Sequence, residues 1–286
     1  MDIEPWILAM VLLCLLVAFC SLWRNRKSRG KECCQILDPD SVSEPETAKK
    51  GDNISDNVRR DFVANVSHEL RTPVAIVKGF AETLDDDYDE LSGKKRREFI
   101  GKIRKNSDRL CSLVEDLLQL AELESPSQAL SLENGYLATV AKTVAERFEE
   151  QLDQEIQSIR LELAKEEKTV RFDPVKIERV IENLLDNALR YARDFSVITI
   201  RTIIGDEAQE IRCEVEDDGG GIPGKDLPHL FERFYRVDKG RSRESGGTGL
   251  GLSIVKHVVE LHGGAVTARS EVDQGTAFGF SLPYRT

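Results

Sequence analysis

The stretch NVSHELRTPV (65–74) sets a histidine beside a glutamate inside an apolar helical pattern, with a proline five residues after the histidine. With Val63 at heptad position a, apolar side chains or Pro73 fall at 63, 66, 70, 73, 77, 80 and 84, the three-four spacing of a helix–helix seam. His68 then falls at position f, farthest from the seam, and its imidazole is expected in water on the outside of a bundle. Core packing does not explain an imidazole placed there.

Four further groups converge on one chemistry. In NLLDNALRY (183–191), Asn183, Asn187 and Arg190 fall at i, i+4 and i+7 and share a helix face, where amide oxygens and a guanidinium suit Mg²⁺ and polyphosphate. DDGGGI (217–222) puts a carboxylate ahead of glycines that let a planar ligand approach the backbone; the carboxylate can accept a hydrogen bond from an exocyclic amine such as that of adenine. GGTGLGLSIVK (246–256) is a glycine-rich loop opening a helix whose free N–H groups favour phosphate. FERFYR (231–236) supplies aromatic residues able to hinge the basic loop between Val237 and Ser245 over a ligand. Each alone has a plain reading, since glycines mark turns and an asparagine-rich helix face is usually solvated. The sequence has no GxxxxGK[ST], and GGTGLG lacks the G-x-G-x-x-G spacing, so the common phosphate-binding loops are disfavoured.

The elements that must position these groups are legible around them. A first helix is predicted over about 58–85 and a second over about 93–123, joined by an acidic turn. The second keeps the three-four spacing at Phe99, Ile103, Leu110, Leu113, Leu117 and Leu120, with Asn106 at one seam position to fix register. Two antiparallel helices cannot bury both stripes alone, so a dimeric four-helix bundle is expected. Beyond SPSQ (125–128) the pattern predicts helices over 136–152, 174–192 and 249–262. Strands are predicted over 159–163, 169–172, 197–204, 211–216, 265–270 and 277–282, an α+β arrangement with helices on one face of a mixed sheet. His229, His257 and His262 read as surface or partly packed residues.

The 286 residues carry a net charge of −11, which disfavours nucleic acid as a partner because phosphate binding needs a basic surface. Six scattered cysteines without a CxxC indicate neither a zinc knuckle nor a disulfide framework, and adjacent Cys33 and Cys34 read as thiols. Trp6–Trp23 is uncharged and would span roughly 27 Å as a helix. Acidic residues precede it and five basic ones follow, so the positive-inside rule makes it a single-pass anchor with the N-terminus outside and the remainder in the cytoplasm. The expected domains are an anchor (1–24), a flexible juxtamembrane linker (25–57), a helical dimerisation domain (58–124) and an ATP-binding domain (125–286).

FVANVSHELRTPVAIVKGFAETL, NLLDNALRY, DDGGGI, LFERFYR, GTGLGLSIVK and GTAFGFSLP resemble, in order, the H, N, G1, F, G2 and terminal boxes of bacterial sensor histidine kinases, with HisKA and GHKL-type ATPase domains. The wording around His68 is most similar to the phosphate-regulon-sensor subgroup. The resemblance implies a multidomain fold: an anchor helix, an all-α hairpin and an α+β GHKL sandwich. It implies ATP and Mg²⁺ as cofactors, a response-regulator receiver domain as partner, a homodimer, and location in the bacterial inner membrane. His68 is implied as the phosphoryl acceptor, Glu69 as the group holding its other nitrogen, and Thr72 as a residue positioning water for dephosphorylation of the regulator. Pro73 would permit a bend that presents His68 to two partners in turn. Asn187 would chelate Mg²⁺ with Asn183 close by, and Arg190 and Tyr191 would face the phosphates. Asp217 would read the adenine amine, with Gly219 and Gly221 making room for the base. Ile222, Phe234, Gly247, Thr248, Gly249, Leu250, Gly251 and Thr276 complete the implied nucleotide contacts. Two positions depart from the family pattern: Asp218, where asparagine is frequent, adds negative charge, and Gly220 replaces a frequent proline. Two other classes share features: an ATP-driven clamp of the gyrase and chaperone type, and a scaffold or regulator phosphatase with weakened kinase activity.

Overall fold

The computed structural model describes residues 49–125, 129–152, 156–164, 168–192, 194–205, 209–237 and 247–284, with side chains from Phe62 onward. The expected membrane segment Trp6–Trp23, Cys33 and Cys34, and most of the basic loop after Val237 lie outside these residues. Among the described residues no helix is long and apolar enough to cross a membrane.

The first helix, α1, runs Lys49–Asp86 and begins nine residues before the sequence pattern placed it. No proline interrupts the chain between Pro45 and Pro73, so nothing stops a polar helix from extending back into the segment expected to be flexible linker. The helix continues through Pro73, which is buried. The second helix, α2, spans Gly93–Leu123 as expected, and the Ser92 hydroxyl caps it by accepting the Lys95 N–H at 3.3 Å. Phe80 of α1 packs on Phe99 of α2 with ring centroids 4.9 Å apart, which fixes the antiparallel hairpin near its turn.

The described residues after α2 form a five-stranded mixed sheet, a two-stranded one and three α-helices. β1 (Glu133–Gly135) pairs antiparallel with β3 (Val170–Phe172), an element too short and too polar for its sequence to announce. α3 (Leu137–Glu149), β2 (Ser158–Glu162), α4 (Pro174–Tyr191), β4 (Val197–Gly205), β5 (Glu210–Asp217), α5 (Gly251–Leu261), β6 (Val266–Ser270) and β7 (Thr276–Pro283) follow in chain order. The sheet order is β2-β4-β5-β7-β6, with β2 and β4 parallel and every other pair antiparallel.

Strand alternation sets what points inward. On β5, Ile211, Cys213, Val215 and Asp217 are buried while Arg212 is exposed, so the last inward position of an otherwise apolar row is a carboxylate. β7 adds Phe278, Phe280 and Leu282, and α3, α4 and α5 cover the sheet with Val144, Ile177, Ile181, Leu184, Val255 and Val258. Asp173 starts α4 three ways: its side chain caps Lys176 N–H at 3.1 Å, it accepts Ser131 N–H at 3.1 Å, and its own N–H donates to His262 Nε2 at 3.0 Å. His262 in turn donates from Nδ1 to the Val258 carbonyl at 2.7 Å, so the ring is the neutral Nδ1–H tautomer and ties the end of α5 to the start of α4.

Candidate active site

The cleft at the carboxyl end of β5 collects thirteen of the fifteen residues expected to contact nucleotide. Asn183, Asn187, Arg190 and Tyr191 come from α4; Asp217, Gly219, Gly221 and Ile222 follow β5; Gly247, Thr248, Gly249 and Gly251 open α5; and Thr276 begins β7. The cleft encloses about 1610 Å³, ample for a nucleotide.

Two expected residues are not on its wall. Leu250 is wholly buried, its side chain turned into the core beneath α5. Phe234 adopts a left-handed backbone (φ 62°), donates its N–H to the Gly249 carbonyl at 2.8 Å, and packs its ring 5.8 Å from that of Phe62 on α1. It links the aromatic segment to the glycine loop and to the helical hairpin.

Asp217 is 6% exposed, and its Oδ1 accepts the Gly219 N–H at 3.0 Å. Burial pushes its carboxyl above the usual aspartate range, and hydrogen bonds from the Gly219 and Thr276 backbone offset part of that rise. Gly221 has φ +66°, and a Cβ there would sit 2.0 Å from the Glu271 carbonyl oxygen. The residue is therefore glycine because the β6–β7 turn crosses it, a different reason from the room for a base expected of it. Asp218, expected to add charge to the site, accepts the backbone N–H groups of Ser196 (2.7 Å) and Val197 (3.0 Å) and fastens the start of β4 to the end of β5.

On α4 the Asn183 amide nitrogen donates to the Arg179 carbonyl at 2.9 Å, which leaves its oxygen on the side of Gly251. Among the described residues the wall carries nine carboxylates, from Glu115 and Asp116 round to Asp273, and four cationic side chains, Arg179, Arg190, Lys225 and Arg236. A triphosphate entering such a field needs an accompanying cation. Among the described residues no group of three or more His, Cys, Asp or Glu could hold a metal ion; the Asn187 side chain on the cleft wall offers an amide oxygen of the kind Mg²⁺ takes beside phosphate and water.

The histidine lies on a separate surface. The His68 side chain is 62% exposed, as position f requires, and its Nδ1 is 3.7 Å from Glu69 Oε1. The other Glu69 oxygen bonds the Arg109 guanidinium of α2 at 2.8 Å and lies 3.6 Å from Arg236. The Thr72 hydroxyl donates to the His68 carbonyl at 3.4 Å. His68 does not line the cleft. Ser112, Glu115 and Asp116 of α2 line the cleft, and the Thr248 hydroxyl of the glycine loop donates to Asp116 at 2.6 Å. Burial raises the Asp116 carboxyl, partly offset by that hydrogen bond. Asp116, Arg109 and Arg236 were not singled out from sequence. Arg236 closes the FERFYR segment, which was a usable signal; Asp116 and Arg109 sit in a helix where their spacing marks only a polar position.

Both surfaces match known families. Residues 58–126 match the His Kinase A (phospho-acceptor) domain, and residues 172–286 match the histidine kinase-, DNA gyrase B-, and HSP90-like ATPase family. The chain belongs to the sensor histidine kinases. A sensor histidine kinase WalK of Bacillus subtilis (strain 168) is 38% identical over 230 residues, which cover 80% of this chain and 37% of that relative. This sensor kinase chain thus spans little more than a third of that protein's length. The Acinetobacter baumannii histidine kinase AdeS superposes with a TM-score of 0.59 at 26% identity, covering 77% of this chain and 98% of that one. ShkA, solved full-length in complex with AMPPNP, superposes with a TM-score of 0.57 at 27% identity over 79% of this chain and 46% of its own. These relatives do not support the phosphate-regulon subgroup expected from the wording around His68.

Proposed function

We propose that this sensor histidine kinase binds Mg·ATP in the cleft at the end of β5, phosphorylates His68, and passes the phosphoryl group to an aspartate of a response-regulator receiver domain. The observation that carries the reading is the pairing of an exposed imidazole beside a carboxylate with a cleft whose buried Asp217, α4 amides and α5 glycine loop converge. The matched phospho-acceptor and ATPase families, and the ATP analogue bound by ShkA, support it.

Asp217 accepts the adenine amine, Arg190 and Tyr191 face the phosphates, and the N–H groups that open α5 hold their charge. Asn187 would hold Mg²⁺, and the ion would supply charge neutralisation to the phosphate oxygens. His68 reacts as the neutral ring with its proton on Nδ1. Its Nε2 lone pair forms the N–P bond while the bond to ADP breaks and ADP leaves with the electron pair, and the Nδ1 proton passes to Glu69. Because His68 is off the cleft wall, the ATPase lobe must leave its seat on α2 before transfer. The exposed apolar residues Val63, Val74 and Ile100 of the hairpin favour a second copy as the partner that covers them. Thr72 serves dephosphorylation of the regulator, and Trp6–Trp23 anchors the kinase in the inner membrane with its catalytic part in the cytoplasm.

The test is incubation of the chain with Mg²⁺ and γ-labelled ATP. Acid-labile label that is lost in His68→Gln supports the reading; label undiminished in that variant overturns it.

A further inference from the structure

The matched families account for an acceptor histidine and an ATPase, but not for the buried arginine on the other side of the acceptor's neighbour. Arg109 comes from the middle of α2, forty residues from Glu69, and its side chain is 9% exposed. Its guanidinium meets Glu69 Oε2 at 2.8 Å, and Glu69 itself is only 18% exposed. The same carboxylate directs Oε1 toward His68 Nδ1 at 3.7 Å, one side-chain rotation from a hydrogen bond. The Arg236 guanidinium of the ATPase lobe, 7% exposed, also lies near Oε2, at 3.6 Å.

We propose that Arg109 is the positioning residue of the acceptor, holding Glu69 by one oxygen so that the other fixes the His68 ring with its proton on Nδ1 and its Nε2 free. This rests on the reading of His68 as acceptor. A glutamate on a helix surface samples several rotamers, and only those that turn Oε1 to its neighbour select the reactive tautomer. Charge-assisted hydrogen bonding to a buried guanidinium removes most of the others. Arg109 belongs to the same hairpin as His68, so its hold on Glu69 persists when the lobe moves. Arg236 shares the carboxylate only while the lobe is seated.

A double-mutant cycle with Arg109→Met and Glu69→Gln tests this by initial rate of His68 labelling, Michaelis constant for ATP, and ¹⁵N NMR of the His68 ring. Arg109→Met is expected to lower the labelling rate about tenfold to a hundredfold, to leave the constant for ATP within about twofold, and to shift the ring nitrogens toward a mixture of tautomers. Arg109→Lys, which keeps the cation, is expected to recover most of the rate. In a Glu69→Gln background the Arg109 substitution is expected to cost little more. Equal, additive losses in both backgrounds, or an unchanged ring spectrum in Arg109→Met, overturn the proposal. If Arg109→Met does not fold, Arg109→Gln carries the same cycle with the same criteria. Labelling absent in the unaltered chain refutes the acceptor assignment instead, so the two failures are distinct.

Discussion

Asp217 closes a strand whose alternate residues face the core, and that position subjects its carboxyl to two opposed influences. Burial raises its proton affinity, while two backbone N–H groups hold the anion. Burial is the larger, so the carboxylate protonates at higher pH than a surface aspartate does. The adenine-amine acceptor proposed at this position is then lost earlier as pH falls. Calorimetric titration of the chain with ATP should show affinity weakening from pH 7 toward pH 5, whereas Asp217→Asn should bind about tenfold to a hundredfold more weakly at neutral pH with little pH dependence. His262 acts in the opposite direction. Burial depresses its pKa below the ordinary value of 6.5, so the stability contributed by the neutral ring is present above the unfolded pKa and is lost as pH falls through the lower folded one. His262→Ala should cost about 1–3 kcal/mol in urea unfolding at pH 7.5 and flatten the fall in stability on acidification.

At the scale of elements, α2 was legible to the residue because its three-four apolar spacing holds on both sides of Asn106, and the alternating strands β4 and β5 were displaced by one residue at most. The first nine residues of α1 are not legible as helix because polarity alone resembles a linker, and helix formation there depends on continuation into an amphipathic segment. β1 was invisible, since three polar or glycine residues form a strand only because β3 presents a partner edge. The thirteen cleft residues were readable as ordered boxes. Phe234 and Leu250 stand off the cleft wall, and proximity in sequence to a glycine loop does not say which side of the chain faces the cleft. The crossing of Gly221 by the β6–β7 turn needed coordinates as well. Gly221→Ala is expected to lose about 1–2 kcal/mol from its left-handed backbone alone, with more from the collision with Glu271, read as a lowered thermal midpoint.

In the whole molecule, the two domains meet through contacts that occupy the groups a kinase would use. Thr248 of the glycine loop is engaged by Asp116, Arg233 pairs with Glu124, His257 meets the Leu123 carbonyl, and Arg236 reaches Glu69. Each is a modest interaction, and together they favour a seated lobe whose cleft faces α2 in place of His68. Removing one hydrogen bond of about 1 kcal/mol changes such a balance roughly fivefold. Asp116→Ala should therefore raise the initial rate of His68 labelling about three- to tenfold and increase hydrogen exchange along the 247–251 segment. An unchanged rate would show that this seat does not limit transfer.

The proposed function turns on a covalent bond between phosphorus and a nitrogen of His68. ³¹P NMR of the chain after incubation with Mg·ATP measures it directly. A phosphoramidate resonance is expected that disappears on acidification and is missing from His68→Gln. A phosphate ester that survives acid, or ATP turnover with no protein-bound phosphorus, would contradict it.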